Sequence, residues 1–165
     1  RFERYDEAFL PPGPEEPNNW IYGDGYPYYG ALTLPSPKGR DPEMAFLVWE
    51  RDYLGGKTLL NRYHLRLDGF VSYFGTYRPQ HLVTRKIRYA GQRLLLNFAT
   101  SARGGIRLRI RDAETGREAR SVEIFGDATD REIDFATGAV AEFAGKPVTV
   151  DFELRDAHVY SFKFE

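Results

Sequence analysis

The sequence contains no cysteine, which excludes structural disulfides, zinc sites built on thiolates and a cysteine nucleophile. No apolar run approaches the roughly 20 residues that a membrane-spanning helix needs, so no membrane partner is expected. The formal net charge is only -1, so the chain as a whole has no positive electrostatic field that would favour binding of nucleic acid. The chain starts at Arg1 rather than Met, which predicts that it is processed or cut from a longer protein.

The familiar catalytic and metal-binding motifs are missing as well. The three histidines stand apart, without the HxH or HExxH spacing of a transition-metal site. No serine lies in a GxSxG elbow, and the sequence has no GxxxxGK[ST] phosphate loop. We therefore assign no catalytic residue, no metal ligand and no cofactor. Acidic residues at 112–114 and 127–130 could supply oxygens to a structural Ca²⁺, but solvated turn acids are the favoured interpretation.

A strong period-2 pattern fills the second part of the chain, from residue 69 to residue 165. At 106–111, for example, isoleucine and leucine alternate with arginine, as expected of a half-buried strand. About eight such strands at close spacing, with almost no helical period, predict an all-β fold, a β-sandwich of jelly-roll type. The predicted strands include 70–74, 82–89 and 122–125, and a helical turn is predicted at 140–143. If 106–111 lies antiparallel beside 148–155, its arginines meet Asp151 and Glu153 across the strands.

Residues 1–68 have a different character. The first 17 residues contain four prolines and predict an extended surface segment. Short strands follow at 31–34, 44–51 and 58–67, and the middle one is apolar enough to be buried on both faces. They predict a short antiparallel segment similar to a propeller blade. Because three strands alone bury too little surface, this segment is expected to pack on the sandwich.

The most unusual stretch is an aromatic loop at residues 18–30, in which rings alternate with glycines. Sugars present apolar C–H faces that stack on such rings, so the loop could form a carbohydrate-binding platform. The favoured interpretation is instead that the rings pack the N-terminal segment onto the sandwich. The five candidate ligand-binding residues are Trp20, Tyr22, Tyr26, Tyr28 and Tyr29.

Several stretches resemble the C-terminal region of bacterial glycosidase-like β-propeller proteins, where a last blade is followed by a β-sandwich. The central one is YHLRLDGFVS at residues 63–72, which resembles the junction between propeller and sandwich. The others are LNFATSA at 96–102, GKPV at 145–148, LRDAHVYSFKF at 154–164, and the blade-like Asn19, Trp20, Tyr26 and Pro27.

The resemblance implies a non-catalytic, carbohydrate-associated accessory module of a secreted glycosidase-like protein, in an extracellular or periplasmic setting. Its partners would be a polysaccharide or oligosaccharide and the remainder of a longer chain. No catalytic residue carries over, because the early propeller blades that hold the carboxylates have no counterpart here. Two alternatives stay open: an assembly subunit that self-associates through exposed strand edges and the aromatic loop, and a self-contained glycoside hydrolase, which is less favoured.

Overall fold

The computed structural model describes residues 4–6, 8–11, 24–36, 41–50 and 58–165. These described residues form eleven β-strands, paired antiparallel, and one short 3₁₀ turn. The prediction of an all-β fold is confirmed. Two compact units divide the chain, Arg1–Phe70 and Val71–Glu165, and they are called the N-terminal and C-terminal units below. The predicted packing of residues 1–68 on residues 69–165 stays a prediction.

The N-terminal unit contains a four-stranded antiparallel sheet. Its central strand is β3, which pairs along one edge with both β1 and β2 and along the other edge with β4. The β3–β4 pair is in register over its whole length, from Glu43 opposite Arg66 to Glu50 opposite Leu59. The strands are β1 (Asp24–Pro27), β2 (Leu32–Leu34), β3 (Glu43–Glu50) and β4 (Leu59–Arg66).

The C-terminal unit is one seven-stranded sheet built around two long strands, β7 and β11. The chain reaches β11 through a 3₁₀ turn at Val140–Phe143, where a helical turn is predicted from the sequence. The strands are β5 (Tyr73–Gly75), β6 (Gln80–Val83), β7 (Leu94–Asp112), β8 (Glu118–Ser121), β9 (Asp127–Glu132), β10 (Phe135–Thr137) and β11 (Val148–Phe164).

A bend divides the β7–β11 ribbon into two halves. Arg155 pairs with Gly105 and Ala157 with Thr100, so residues 101–104 lie opposite Asp156 alone. Asp156 has a φ of 46°, in the left-handed region. A Cβ on Gly104 would lie 2.2 Å from the Asp156 carbonyl oxygen, so only glycine fits here.

Each half of the ribbon has its own flanking strands, and both halves contribute to one core. Strands β9 and β5 flank one half, while β8 and β6 flank the other. This arrangement is consistent with the predicted β-sandwich, whose jelly-roll type stays a prediction. The largest buried core side chains are Leu94, Leu96, Phe98, Ile106, Leu108, Ile110, Ile124, Phe143, Phe152 and Leu154.

The predicted register between the arginine row and the acidic residues is confirmed. Arg109 pairs with Asp151, and Arg107 pairs with Glu153. The Arg109 Nη2 atom lies 2.7 Å from Asp151 Oδ2, and His81 Nδ1 lies 2.9 Å from Asp151 Oδ1. Asp151 is buried, and each of its carboxylate oxygens has a partner, as a buried polar group requires.

Three predicted strand boundaries are wrong. At two of them a side-chain hydroxyl oxygen accepts the backbone N–H that would otherwise bond to the neighbouring strand. The strand predicted at 82–89 ends at Val83, where Thr84 Oγ1 accepts the Val150 N–H at 2.9 Å. The strand predicted at 122–125 lies instead at Glu118–Ser121, where Ser121 Oγ accepts the Leu108 N–H at 2.8 Å. The strand predicted from residue 70 starts at Tyr73, after a turn.

Candidate functional site

The N-terminal sheet carries a cluster of exposed rings on one face, near one end of β3. Trp49 in β3 has Tyr26 of β1 opposite it on one side and Leu60 of β4 on the other. Residues directly opposite one another in an antiparallel sheet share a face. The Tyr28 ring stacks on Trp49, with 6.1 Å between ring centroids and 18° between planes. We call Tyr26, Tyr28, Trp49 and Leu60 the aromatic surface.

All four side chains of the aromatic surface are exposed: 38% for Trp49, 42% for Tyr26, 52% for Leu60 and 55% for Tyr28. The prediction that β3 is buried on both faces is therefore wrong. Its buried hydrophobic residues are Ala45 and Val48. A continuous apolar run does not distinguish a covered strand from one that ends in an exposed aromatic residue.

The predicted ligand-binding residues fall into three groups. Tyr26 and Tyr28 lie together in the aromatic surface. Tyr29 is adjacent in sequence and almost fully exposed, at 98%. Trp20 and Tyr22 lie outside the described residues. Sequence reasoning missed Trp49, although the strand pairing of β1 with β3 would have placed it beside the aromatic loop.

Polar side chains continue the same face along β4. Arg62 and His64 follow Leu60 at alternate positions, so all three side chains share the face of Trp49. His64 Nδ1 lies 3.0 Å from Glu43 Oε2, and Ser36 Oγ donates to Glu43 Oε1 at 2.8 Å. At about 3.3 Å per residue, the polar group lies roughly 13 Å from the rings.

The opposite face of the sheet uses its rings for packing. The ring centroid of Phe9 lies 5.7 Å from that of Phe46 and 5.2 Å from that of Phe70. Phe46 in turn stacks on Tyr63, at 6.1 Å. The Glu50 carboxylate, one of the acids nearest the aromatic loop, accepts hydrogen bonds from Asn61 and from the Tyr63 hydroxyl. This face therefore carries a second group of rings in mutual contact, of which Phe9, Tyr63 and Phe70 are still exposed.

The three histidines lie in three separate pairs. His64 is paired with Glu43 and His81 with Asp151. His158 Nδ1 lies 2.9 Å from Ser72 Oγ, and the His158 ring stacks on Phe74 at 4.4 Å between centroids. The described part of the chain holds no group of three or more histidines and acids that could bind a metal ion.

Two of the acids considered as Ca²⁺ ligands, Asp112 and Asp130, take part in other contacts. Asp112 Oδ1 accepts the N–H groups of Glu114 at 2.8 Å and Thr115 at 3.1 Å. These backbone hydrogen bonds hold the pKa of Asp112 below its usual value. The Asp130 carboxylate lies 3.1 Å from Lys163 Nζ. Asp112 thus closes the β7–β8 turn, with its carboxylate buried rather than solvated.

Comparisons with protein-family models, curated proteins and solved structures gave no match. The resemblance to glycosidase-like propeller proteins therefore stays a prediction from the quoted motifs. Over the described residues, no helix has the length and apolar character to cross a membrane. The candidate site is accordingly defined by geometry alone, as three exposed rings beside a row of polar side chains.

Proposed function

We propose that the chain is a non-catalytic, carbohydrate-associated accessory module whose ligand lies across Tyr26, Tyr28 and Trp49. The observation that carries this proposal is the stacking of Tyr28 on Trp49 at the exposed end of β3. Two rings held nearly parallel are already fixed in position, so a ligand does not have to order them on binding. The apolar C–H face of a sugar ring matches such a surface.

The polar row beside the rings supports a ligand that is itself apolar on one side and polar along its edges. Arg62 supplies donors on the same face, and the His64–Glu43 pair lies further along β4. The distance of roughly 13 Å from Leu60 to His64 suits an oligosaccharide or a polysaccharide chain better than a single sugar. Together with the motif resemblance, this supports a module of a secreted glycosidase-like protein, in an extracellular or periplasmic setting.

The test is a titration of intrinsic tryptophan fluorescence with a panel of soluble polysaccharides and oligosaccharides. The chain has two tryptophans, so the Trp20→Ala variant leaves Trp49 as the single reporter. We expect saturable quenching in the parent chain and in Trp20→Ala. Loss of the Tyr28 ring in Tyr28→Ala is expected to weaken binding about tenfold, since stacking contributes roughly 0.5–1.5 kcal/mol beyond buried area.

Tyr77→Ala is the matched control, because Tyr77 is an exposed tyrosine of the C-terminal unit. It should leave the titration unchanged. Binding that survives Trp49→Ala and Tyr28→Ala, measured by calorimetry where the reporter is lost, would show that the ligand lies elsewhere. A Trp49 signal that responds to none of the sugars would contradict the proposed function.

A further inference from the structure

Strand β4 presents an open backbone edge. In the described residues β4 pairs only with β3. The Leu47 carbonyl accepts the Tyr28 N–H at 2.7 Å. The backbone N–H and C=O groups of Leu47 therefore point towards β1 and away from β4. Arg62, directly opposite Leu47, must then direct its own N–H and C=O groups away from β3. By the same alternation, Leu60 and His64 also point their backbone groups outwards.

The side chains along this edge are exposed and apolar at several positions. Leu60 is 52% exposed, and Leu59 and Tyr63 are exposed on the other face of the strand. An eight-residue edge strand with exposed leucines is a template for a further strand unless charges or proline block it. β4 contains no proline, so its geometry permits a neighbour to add along its length.

The charges on β4 restrict what that neighbour can be. Arg62, His64 and Arg66 share one face, and β4 itself contains no acidic residue. Glu43 of β3 lies 3.0 Å from His64 on that face, so Arg62 is the cation on which the selection depends. A second copy of β4 paired antiparallel and centred on Arg62 would set Arg62 opposite itself. Like charges directly opposite one another destabilise a sheet, so this self-pairing is disfavoured.

We propose that the open edge of β4 binds an extended acidic segment of a partner protein by strand addition. The segment would carry carboxylates at alternate positions, facing Arg62 and its neighbours, and apolar residues between them, facing Leu59 and Tyr63. Backbone hydrogen bonds from Leu60, Arg62 and His64 supply the pairing, and the charges select the sequence. This interaction shares Leu60, Arg62 and His64 with the proposed carbohydrate surface, but it uses the backbone edge of β4 rather than the exposed rings. It also differs from the self-association predicted as an alternative function.

The direct test measures binding of two synthetic peptides of about seven residues to the full 165-residue chain. One peptide has glutamate at alternate positions with valine between, and the other replaces each glutamate by lysine. We expect the glutamate peptide to bind at least about tenfold more tightly, with a preference that weakens in high salt. In Arg62→Glu the preference should reverse. Equal binding of both peptides, or of neither, would overturn the proposal.

Amide hydrogen exchange locates the binding. The outward amides of Leu60, Arg62 and His64 should become protected by the glutamate peptide, while the ladder amides facing β3 change little. Leu60→Pro removes one outward N–H that β3 does not use, and should reduce affinity relative to its control Leu60→Ala. If Leu60→Pro disturbs the sheet, the Arg62→Glu reversal still decides the question. Protection that appears without peptide and grows with protein concentration would identify a second copy as the occupant instead.

Discussion

The two units are built from similar alternating strands but differ in what those strands bury. The C-terminal unit encloses a contiguous core to which both halves of the β7–β11 ribbon contribute. Among the described residues of the N-terminal unit, the buried hydrophobic side chains are Ala45 and Val48. A sheet becomes stable by covering one of its faces, and in the C-terminal unit the two halves of the ribbon both supply side chains to that buried face. The N-terminal sheet instead leaves Tyr28 and Trp49 exposed.

The largest effect that the comparison predicts is the loss of a core ring in the C-terminal unit. Phe98 is fully buried in β7, so Phe98→Ala should destabilise this unit by about 3–5 kcal/mol. Chemical denaturation followed by circular dichroism measures the shift. Tyr77→Ala, at an exposed position of the same unit, is the control and should change the free energy of unfolding little. A small effect at Phe98 would mean that the core does not carry the stability of the unit.

The next largest effect is expected where the ribbon bends. In Gly104→Ala the new Cβ would meet the backbone carbonyl of Asp156 at 2.2 Å, and the backbone must shift. We expect a loss of about 1–3 kcal/mol, measured in the same denaturation experiment. Gly105→Ala is the matched control, because a Cβ there meets only the flexible end of Glu123. Equal costs at the two glycines would contradict the close approach at Gly104.

A pH-dependent effect should distinguish the C-terminal unit. Tyr89 stacks on Phe164 at 3.6 Å between centroids and donates its hydroxyl to the Val140 carbonyl at 2.6 Å. Burial raises the pKa of Tyr89 from 10.0 to about 12. The unfolded chain therefore loses this proton first, and the stabilisation is present below pH 10 and lost as the pH rises towards 12.

Denaturation midpoints of the parent chain and Tyr89→Phe, measured from pH 9 upwards, test this assignment. The variant lacks the hydroxyl, so its curve should fall less steeply between the two pKa values. The two chains differ only at residue 89, so the difference between their curves reports on Tyr89. Parallel curves would contradict the assigned pKa of Tyr89.

The smallest effect is expected at the aromatic surface. Trp49→Ala removes a ring that is 38% exposed and stacks on one neighbour, so the loss should be about 1 kcal/mol or less. Denaturation monitored by circular dichroism measures this loss of stability. Val48→Ala, at a fully buried position of the same strand, is the control and should lower the free energy of unfolding more. A cost at Trp49 as large as that at Val48 would identify the ring as a packing residue and weaken the proposed function.

Much of the architecture follows from pairwise patterns that a reader can find in the sequence. The pairing of Arg109 with Asp151 is one example, because opposite charges on two alternating segments favour one register. Where β6 and β8 end is a different matter. Thr84 and Ser121 take over ladder hydrogen bonds with their side chains, and only the neighbouring strand determines whether a hydroxyl can do this.

The candidate site was predictable in part. The ring-rich loop indicated Tyr26 and Tyr28, but Trp49 lies in an apolar run that predicts burial on both faces, and its exposure depends on whether another part of the chain packs on its face of the sheet. The sequence by itself determined the all-β class and the alternation of faces, because both depend on the local period-2 pattern. The tertiary structure decided where the β7–β11 ribbon bends and which faces stay uncovered, because burial depends on contacts between residues distant in the chain.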